Sequence, residues 1–247
     1  IDLVTKTVEP RGDEKELAEI ADLIGSYTTN FASSSAGRAK NVITGVSKVD
    51  GTILYPGEEF DLAKTVSPFT QENGYELAGA YQNGTVVESF GGGICQVATT
   101  LYNAVIRAEL EITMRFNHSM LVHYVEPSMD AAIAGNYKDL KFKNNLDAPV
   151  YIEGYCSGGI IYFNVYGKET RPSNREISFE SETVSKTDPK VQFTMDASLT
   201  AGSVSVTQSG QSGCIAQLWK IVKVDGKQQS RDLFNKSNYQ ATPKLIT

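Results

Sequence analysis

The sequence predicts an α+β protein, and three observations lead to that prediction. Apolar residues recur at helical spacing in several segments of the first half of the chain. Short β-rich runs separated by turn residues fill the stretch that follows, up to about residue 166. The last part of the chain has further β-rich runs and no convincing helix. We therefore expect an α+β domain with a mostly antiparallel sheet, followed by a small all-β domain.

A change of composition marks the expected boundary between these two domains. Residues 167–174 are Gly, Lys, Glu, Thr, Arg, Pro, Ser and Asn, a mixture that is typical of a linker. At 247 residues the chain is also longer than a typical single domain of roughly 100–200 residues. We expect one domain over residues 1–168, which should fold without the rest, and a second over residues 169–247.

Three helices are expected in the first domain. Residues 12–24 open with acidic side chains and continue with apolar residues at helical spacing, and valines repeat in the same way over residues 37–49. A longer apolar stripe predicts a third helix from about Cys95 to Ala108, directly after a run of three glycines.

Strands and hairpins are expected around these helices. The Asn-Gly pair at residues 83–84, the Gly-Gly pair at 158–159 and the Asp-Gly pair at 225–226 each predict a hairpin turn. The predicted strands are residues 120–125, 140–142, 149–156, 160–166, 177–184, 191–195, 203–207 and 215–224.

Charge and hydropathy narrow the classes of function. The net charge is −6, the pI is near 5.1 and the basic residues are scattered, so no basic field for nucleic acid or anionic lipid is expected. No stretch approaches 18 consecutive apolar residues. The chain begins at Ile1 without the pattern of a signal peptide, so we interpret it as a fragment and expect any export signal or membrane anchor in a preceding segment.

The cysteines, Cys95, Cys156 and Cys214, are too few and too widely spaced for a disulfide scaffold or a CxxC metal site. The chain has only two histidines, so we expect no zinc, no other metal and no cofactor. A disulfide between Cys156 and Cys214 would suit an exported protein, although spacing does not determine pairing. At least one thiol should remain free.

Cys95 is the candidate nucleophile. A cysteine at a helix N-terminus lies among unpaired backbone N–H groups at the positive end of the helix dipole, and both favour the thiolate. Gly91, Gly92 and Gly93 would let the backbone approach a substrate and direct N–H groups at a developing oxyanion. The alternative is a cysteine that is merely packed at the start of a helix.

His118 is the candidate base for Cys95. It follows the predicted helix far enough along the chain for the backbone to return beside the helix start. His123 lies an odd number of residues further on, so in an extended segment it would point to the opposite face. The alternative for His118 is a solvated histidine in a turn.

The stretch GGGICQVATTLYN at residues 91–103, with HSM at 118–120 and DLKFKN at 139–144, resembles the core of the VanW family. The earlier phrases YTT at 27–29, GR at 37–38 and PGEEF at 56–60 are similar as well. VanW-like proteins are envelope proteins of Gram-positive-type bacteria, named from an association with glycopeptide (vancomycin) resistance. Some members with this cysteine pattern act as L,D-transpeptidases, which form 3-3 cross-links between peptidoglycan stem peptides.

This resemblance implies that Cys95 is the nucleophile of a cysteine acyltransferase and that His118 is its base. We choose Asp130 as the residue that orients the imidazole, with a turn-forming Asx residue as the alternative. The glycine run and Gln96 would form the substrate and oxyanion loop. Arg38 is a candidate for binding a substrate carboxylate, with an intramolecular salt bridge as the stronger alternative.

The C-terminal part resembles the all-β surface module called the G-five domain, on the Gly210–Gly213 region, the strand that begins at Trp219 and the closing Asn238-Tyr239. Such modules are linked with binding wall sugars or with acting as spacers. The expected partners are therefore peptidoglycan stem peptides and wall glycans, and the expected location is the cell surface. Two alternatives remain open: an endopeptidase acting on the same substrate, and a non-catalytic wall-binding protein linked to glycopeptide resistance.

Overall fold

The computed structural model describes residues 11–82, 85–135, 137–196, 198, 200 and 202–247. It contains both helices and antiparallel sheets, so the predicted α+β class is confirmed. The helices are α1 (Glu14–Ala18), α2 (Ala36–Val49), α3 (Leu62–Val66) and α4 (Ile94–Arg107). The strands are β1 (Asp22–Asn30), β2 (Thr52–Leu54), β3 (Glu59–Asp61), β4 (Leu77–Gln82), β5 (Thr85–Phe90), β6 (Glu111–Met114), β7 (Lys141–Lys143), β8 (Val150–Ser157), β9 (Ile160–Gly167), β10 (Arg175–Thr187), β11 (Val191–Phe193), β12 (Val206–Gln208), β13 (Gly213–Val224), β14 (Lys227–Tyr239) and β15 (Lys244–Ile246).

A four-stranded antiparallel sheet of order β1-β9-β8-β2 supports the first part of the chain. Helix α4 packs against β1 and β9, and α2 packs against β8 and α4. Apolar residues alternate with polar ones along β9, which buries Ile161, Phe163 and Val165 against the helices. The two long helices therefore lie on one face of the sheet, and this packing fixes where α4 begins.

The predicted helices over residues 37–49 and 95–108 are confirmed as α2 and α4. Helix α2 is capped by Ser35, whose hydroxyl accepts the backbone N–H of Arg38 at 3.4 Å. Helix α4 is buried almost all round, and it carries polar side chains inside the protein as well as apolar ones. Those buried polar side chains are Gln96, Thr99, Thr100 and Asn103.

One predicted element is shorter than expected and another is wrong. The first helix ends at Ala18, and Ile24 lies buried in β1, because pairing of β1 with β9 outweighs the local helical pattern. Residues 120–125 form no strand. They belong to an irregular segment between β6 and β7 whose conformation is set by side-chain hydrogen bonds to other parts of the protein.

The predicted hairpins pair as expected where the structure describes them. Strands β4 and β5 are antiparallel neighbours, whereas Asn83 and Gly84 themselves lie outside the described residues. Gly158 has a φ of 58° between β8 and β9. Asp225 and Gly226 have φ values of 51° and 71° between β13 and β14, as a two-residue turn of type I′ requires.

The C-terminal part is all-β in its described residues, with one sheet of order β10-β13-β14 and a smaller one of order β11-β15-β12. It shares a core with the first part, because Leu218 of β13 is fully buried in the main cluster and Phe179 and Phe234 pack against it. A charged contact adds to this packing. Glu109, just after α4, accepts hydrogen bonds from Arg175 at 2.6 and 2.8 Å.

Candidate active site

Cys95 is the second residue of α4, as the apolar stripe predicts. The residues before it turn sharply into the helix, with φ values of 80° at Gly91 and 115° at Gly93, which glycine adopts without strain. Among the described residues, the backbone N–H groups of Gly93 and Cys95 have no hydrogen-bond acceptor. Such free N–H groups are expected in the first turn of a helix, and here they belong to Cys95, a partly buried residue, and to a residue two positions before it.

Close packing explains why residues 92 and 93 are both glycine. A Cβ atom on Gly92 would lie 2.7 Å from the carbonyl oxygen of Ala78, and one on Gly93 would lie 3.0 Å from a methyl group of Val42. The glycine run therefore allows α4 to begin hard against β4 and α2. The same close approach fixes the position of Cys95.

His118 lies beside Cys95, whose thiol donates to the backbone carbonyl of Ile133 at 3.3 Å. Burial alone would raise the pKa of the Cys95 thiol, but the hydrogen bond and the charge of His118 outweigh burial and lower it. Burial would likewise lower the pKa of His118, yet its hydrogen bonds to Asp130 and Cys95 raise it to about 9. Both shifts favour a thiolate–imidazolium pair at neutral pH.

Asp130 is buried, with 1% of its surface exposed, and it binds His118 twice. Its Oδ2 atom lies 2.6 Å from the ring Nδ1 and accepts the backbone N–H of His118 at 2.7 Å. Burial alone would raise the pKa of Asp130, but the hydrogen bond from His118 and the charge of Arg115 keep it below its usual value. The structure thus brings the three predicted residues together as Cys95, His118 and Asp130.

Two residues that the sequence analysis missed complete the surroundings of Asp130. Arg115 donates to its Oδ1 atom at 2.9 Å and to its backbone oxygen at 2.7 Å. Tyr239, at the end of β14, donates its hydroxyl to the same Oδ1 atom. No local pattern indicates either contact. Tyr239 comes from the other end of the chain, and Arg115 reaches Asp130 across an irregular segment.

The buried polar face of α4 holds the irregular segment that carries Asp130. The Thr99 hydroxyl donates to the carbonyl of Ala131 at 3.1 Å and accepts its N–H at 3.0 Å. Asn103 donates to the carbonyl of Met129 at 2.6 Å. Polar residues on the inner face of a predicted helix are the sequence signal for such a contact, since buried polar groups need partners.

Tyr124, also missed, lies near the thiol. Its pKa is raised well above the usual value, first by burial and then by the charge of Cys95, while a hydrogen bond with Thr99 acts in the opposite direction. The tyrosine therefore stays a neutral hydroxyl beside the reactive pair.

Arg38 lies on the other side of the glycine run, where its side chain is close to Gly93. Its partners are neutral: it donates to the Ser34 hydroxyl at 2.6 Å and to Oε1 of Gln96 at 2.8 Å. The expected intramolecular salt bridge is absent from the described residues. The guanidinium is thus a partly buried cation without a carboxylate in that part of the chain.

The sequence predicts that Gln96 belongs to the substrate loop, but its side chain points away from any substrate. The residue is 1% exposed, and its amide donates to the Thr29 hydroxyl at 3.1 Å and to the carbonyl of Asn30 at 2.9 Å. Because its oxygen accepts Arg38, the side chain ties that cation to β1. Its position one residue after Cys95 on the helix points it into the core rather than toward the thiol.

The remaining histidine and cysteines lie apart from this cluster. His123 is exposed and contacts the Tyr124 ring edge-on, although the strand on which its orientation was predicted does not exist. Cys156 and Cys214 are free thiols, so the disulfide considered between them is not formed. Burial raises the pKa of Cys156 to about 11 and also raises that of Cys214.

The cluster is suited to nucleophilic chemistry. A thiolate, an imidazolium held by a buried carboxylate and two free helix N–H groups are the parts that acyl transfer through a thioester requires. Among the described residues, no group of three or more His, Cys, Asp or Glu side chains is arranged to hold a metal ion. None of the helices in the described part of the chain has the length and hydropathy of a membrane span.

Comparison with known proteins assigns both parts of the chain. The family described as "VanW like protein" matches residues 37–166, and the G5 domain matches residues 179–247. The chain is 34% identical over 170 residues to "Uncharacterized protein YoaR" of Bacillus subtilis (strain 168), which covers 68% of this chain and 56% of that protein.

A second relative is "Vancomycin B-type resistance protein VanW" of Enterococcus faecalis (strain ATCC 700802 / V583), 26% identical over 118 residues, with 45% of this chain and 42% of that protein covered. The chain therefore spans about half the length of these curated relatives. The solved structure of the IgA1 protease G5 domain is 25% identical, covering 29% of this chain and 87% of that one with a TM-score of 0.22. The family match spans more than half of this chain and includes Cys95, His118 and Asp130. This chain therefore belongs to the VanW family.

Proposed function

We propose that this protein is a cysteine acyltransferase of the cell envelope that acts on peptidoglycan stem peptides and forms 3-3 cross-links, as an L,D-transpeptidase does. The observation that carries the proposal is the arrangement of Cys95, His118 and Asp130. A thiol with a lowered pKa, a histidine next to it and a buried carboxylate on the far side of that histidine are the features of an activated nucleophile.

In the first half of the reaction, the Cys95 thiolate attacks the carbonyl carbon of the third residue of a donor stem. The N–H groups of Gly93 and Cys95 are suited to donate hydrogen bonds to the oxyanion. The carbon–nitrogen bond to the next residue breaks, and the His118 imidazolium gives its proton to the departing amine. A thioester on Cys95 remains.

In the second half, a side-chain amine of an acceptor stem attacks the thioester. Neutral His118 takes a proton from this amine, the carbon–sulfur bond breaks and the thiolate is restored. The product is an amide bond between two stems. If water attacks instead, the stem is released as a carboxylate and the same residues perform an endopeptidase reaction.

Arg38 suits the binding of a carboxylate on the donor or acceptor stem. Its cation lies beside the glycine run, and within the described residues it makes hydrogen bonds only to neutral groups. A planar guanidinium has five N–H donors, so two bonds to Ser34 and Gln96 leave others free for a substrate. Stem peptides carry such carboxylates.

The C-terminal G5 domain would bind wall glycans and keep the catalytic residues near their substrate, and a segment before Ile1 would attach the protein to the membrane. An extracellular location fits the VanW and G5 domains, and it fits the printed name of the Enterococcus relative, a vancomycin resistance protein. A link of this chain to glycopeptide resistance would follow from altered cross-linking.

Mass spectrometry of muropeptides tests the proposal. Disaccharide-tetrapeptides are incubated with the purified chain, and the products are compared with those of Cys95→Ala. We expect 3-3 linked dimers with the native chain only. Released stems without dimers would favour the endopeptidase, and identical products from both proteins would leave the non-catalytic wall-binding reading.

A further inference from the structure

The last residues of β14 present an unusual polar face to the catalytic segment. Asn235, Ser237 and Tyr239 alternate along the strand and point inward, whereas Lys236 and Asn238 between them are exposed. A sheet face packed against a protein core is normally apolar. Three polar side chains at consecutive inward positions therefore call for an explanation.

Each of these three side chains makes hydrogen bonds to the first part of the chain. Asn235 donates to the Tyr102 hydroxyl at 2.7 Å, and Ser237 accepts Nη1 of Arg115 at 2.9 Å. Tyr239, 2% exposed, donates to Oδ1 of Asp130, and its oxygen accepts the backbone N–H of Ser128 at 2.7 Å.

We propose that the C-terminal β module completes the active site, with Tyr239 as a positioning residue that holds the Asp130 carboxylate in the orientation that binds His118. This inference rests on the proposed function for its biological meaning. The hydrogen bonds of Tyr239 to Asp130 and Ser128 do not depend on that function.

The hydrogen bonds to Asp130 divide between its two oxygens. Oδ2 serves the ring and the backbone of His118, whereas Oδ1 accepts Arg115 and Tyr239. Without the tyrosine hydroxyl, the side chain of Arg115 alone holds Oδ1. A carboxylate that is free to turn about its last torsion makes a weaker bond to His118, so the imidazolium is less favoured and the thiolate of Cys95 with it.

Other titratable groups also face this cluster. Arg38 and Tyr124 lie near Cys95, and Tyr102 lies near Arg115. Replacing Tyr239 by Phe removes one hydroxyl and leaves all of these groups in place. A change in the ionisation of Cys95 in that variant would therefore come through Asp130 and His118.

The test is the pH dependence of Cys95 alkylation in the full chain, measured with iodoacetamide and peptide mapping. Alkylation reports the thiolate and needs no substrate. For Tyr239→Phe we expect the midpoint to move up by about 0.5–1 pH unit, which slows alkylation below the midpoint about three- to tenfold. The matched control is Tyr166→Phe, which also removes a tyrosine-to-carboxylate bond, 3.3 Å long to Glu153, but away from Cys95. We expect its midpoint to equal that of the native chain.

An unchanged midpoint in Tyr239→Phe, even with a lower melting temperature, would overturn the inference and leave the tyrosine a purely structural contact. If that variant does not fold, Ser237→Ala serves instead, because it removes the partner of Arg115 on the same strand; a smaller upward shift supports the inference and no shift overturns it. If the midpoint shifts in Tyr239→Phe but the native chain forms no cross-links, the proposed function is refuted and this inference stands. Normal cross-linking with no shift would refute only the inference.

Discussion

One carboxylate oxygen of Asp130, Oδ2, binds both the ring Nδ1 of His118, at 2.6 Å, and its backbone N–H, at 2.7 Å. Two bonds from one oxygen fix the ring relative to the backbone and require Nδ1 to carry a proton. Nε2 is then the ring nitrogen left to exchange a proton with Cys95. This relationship gives each of the two histidines of the chain a different expected role.

The substitution His118→Ala should reduce 3-3 cross-link formation at least about 10³-fold, because the thiol loses its proton acceptor and the leaving amine its proton donor. His123→Ala is the matched control and should stay within about twofold of the native rate, since that ring is exposed. Rates of dimer formation measured by liquid chromatography check both. Adding Cys95→Ala to His118→Ala should cost little more, because the two residues act as one unit. A dead His123→Ala would show that the base is misassigned.

Asp130→Asn should give a smaller loss of activity than His118→Ala, between about 10-fold and 10³-fold, if the carboxylate only orients the ring. The same change leaves the buried Arg115 without its carboxylate, so the free energy of unfolding should also fall, by about 3 kcal/mol. Chemical denaturation and activity are measured on the same preparation. A variant that is destabilised yet fully active would exclude Asp130 from the mechanism.

Iodoacetamide should alkylate Cys95 first, ahead of Cys156 and Cys214. The pKa of Cys95 is lowered by His118 against the effect of burial, whereas burial raises that of Cys156 to about 11 and also raises that of Cys214. At pH 7 we expect at least about a tenfold difference in rate, because a pKa difference of one unit already changes the thiolate fraction that much. Time-resolved peptide mapping measures the order. Earlier modification of either other thiol would contradict the assignment.

Glu109 should make the protein sensitive to acid. Burial alone would raise its pKa, but Arg175 and Lys220 lower it to about 2, below an unfolded value of about 4.3. The stability from this depressed pKa is fully present above about pH 5 and is lost as the pH falls toward about 2. Glu109 is only partly buried, so we expect about 1–2 kcal/mol after solvent screening.

The variant Glu109→Gln should therefore unfold at lower denaturant concentration than the native chain at pH 7, and the difference should shrink below pH 4. Urea titrations at both pH values measure this. An equal difference at both pH values would mean that the charge of Glu109 is not responsible.

Removal of residues 169–247 should lower the free energy of unfolding of the remaining chain, because the buried contacts made by Leu218 and Tyr239 are lost.

Local patterns were sufficient for the elements that owe their form to local spacing. The valine repeat of α2, the apolar stripe of α4 and the Asp225-Gly226 turn all appear where the sequence indicates them. The predicted continuation of the first helix over residues 18–24 is wrong, because β1 pairs with β9, which lies more than a hundred residues away in the sequence. Pairing at that distance leaves no local trace.

The candidate site was predictable in its chemistry and less so in its supports. Cys95 is recognisable from the glycine run, and His118 from the scarcity of histidines. The reason given for preferring His118 over His123 was wrong, since both lie in irregular backbone, and hydrogen bonds to Asp130 select between them instead. Arg115 and Tyr239 could not be found, because contacts across the fold decide their roles.

Intact-mass spectrometry of the chain after brief incubation with a tetrapeptide stem shows whether Cys95 becomes acylated. The mass should rise by that of a tripeptide acyl group, peptide mapping should place the adduct on Cys95, and hydroxylamine should release it as a thioester requires. Cys95→Ala should show no adduct, whereas Cys156→Ala should react like the native chain. Cross-links formed without any adduct on Cys95, or an adduct that persists in Cys95→Ala, would exclude Cys95 as the nucleophile.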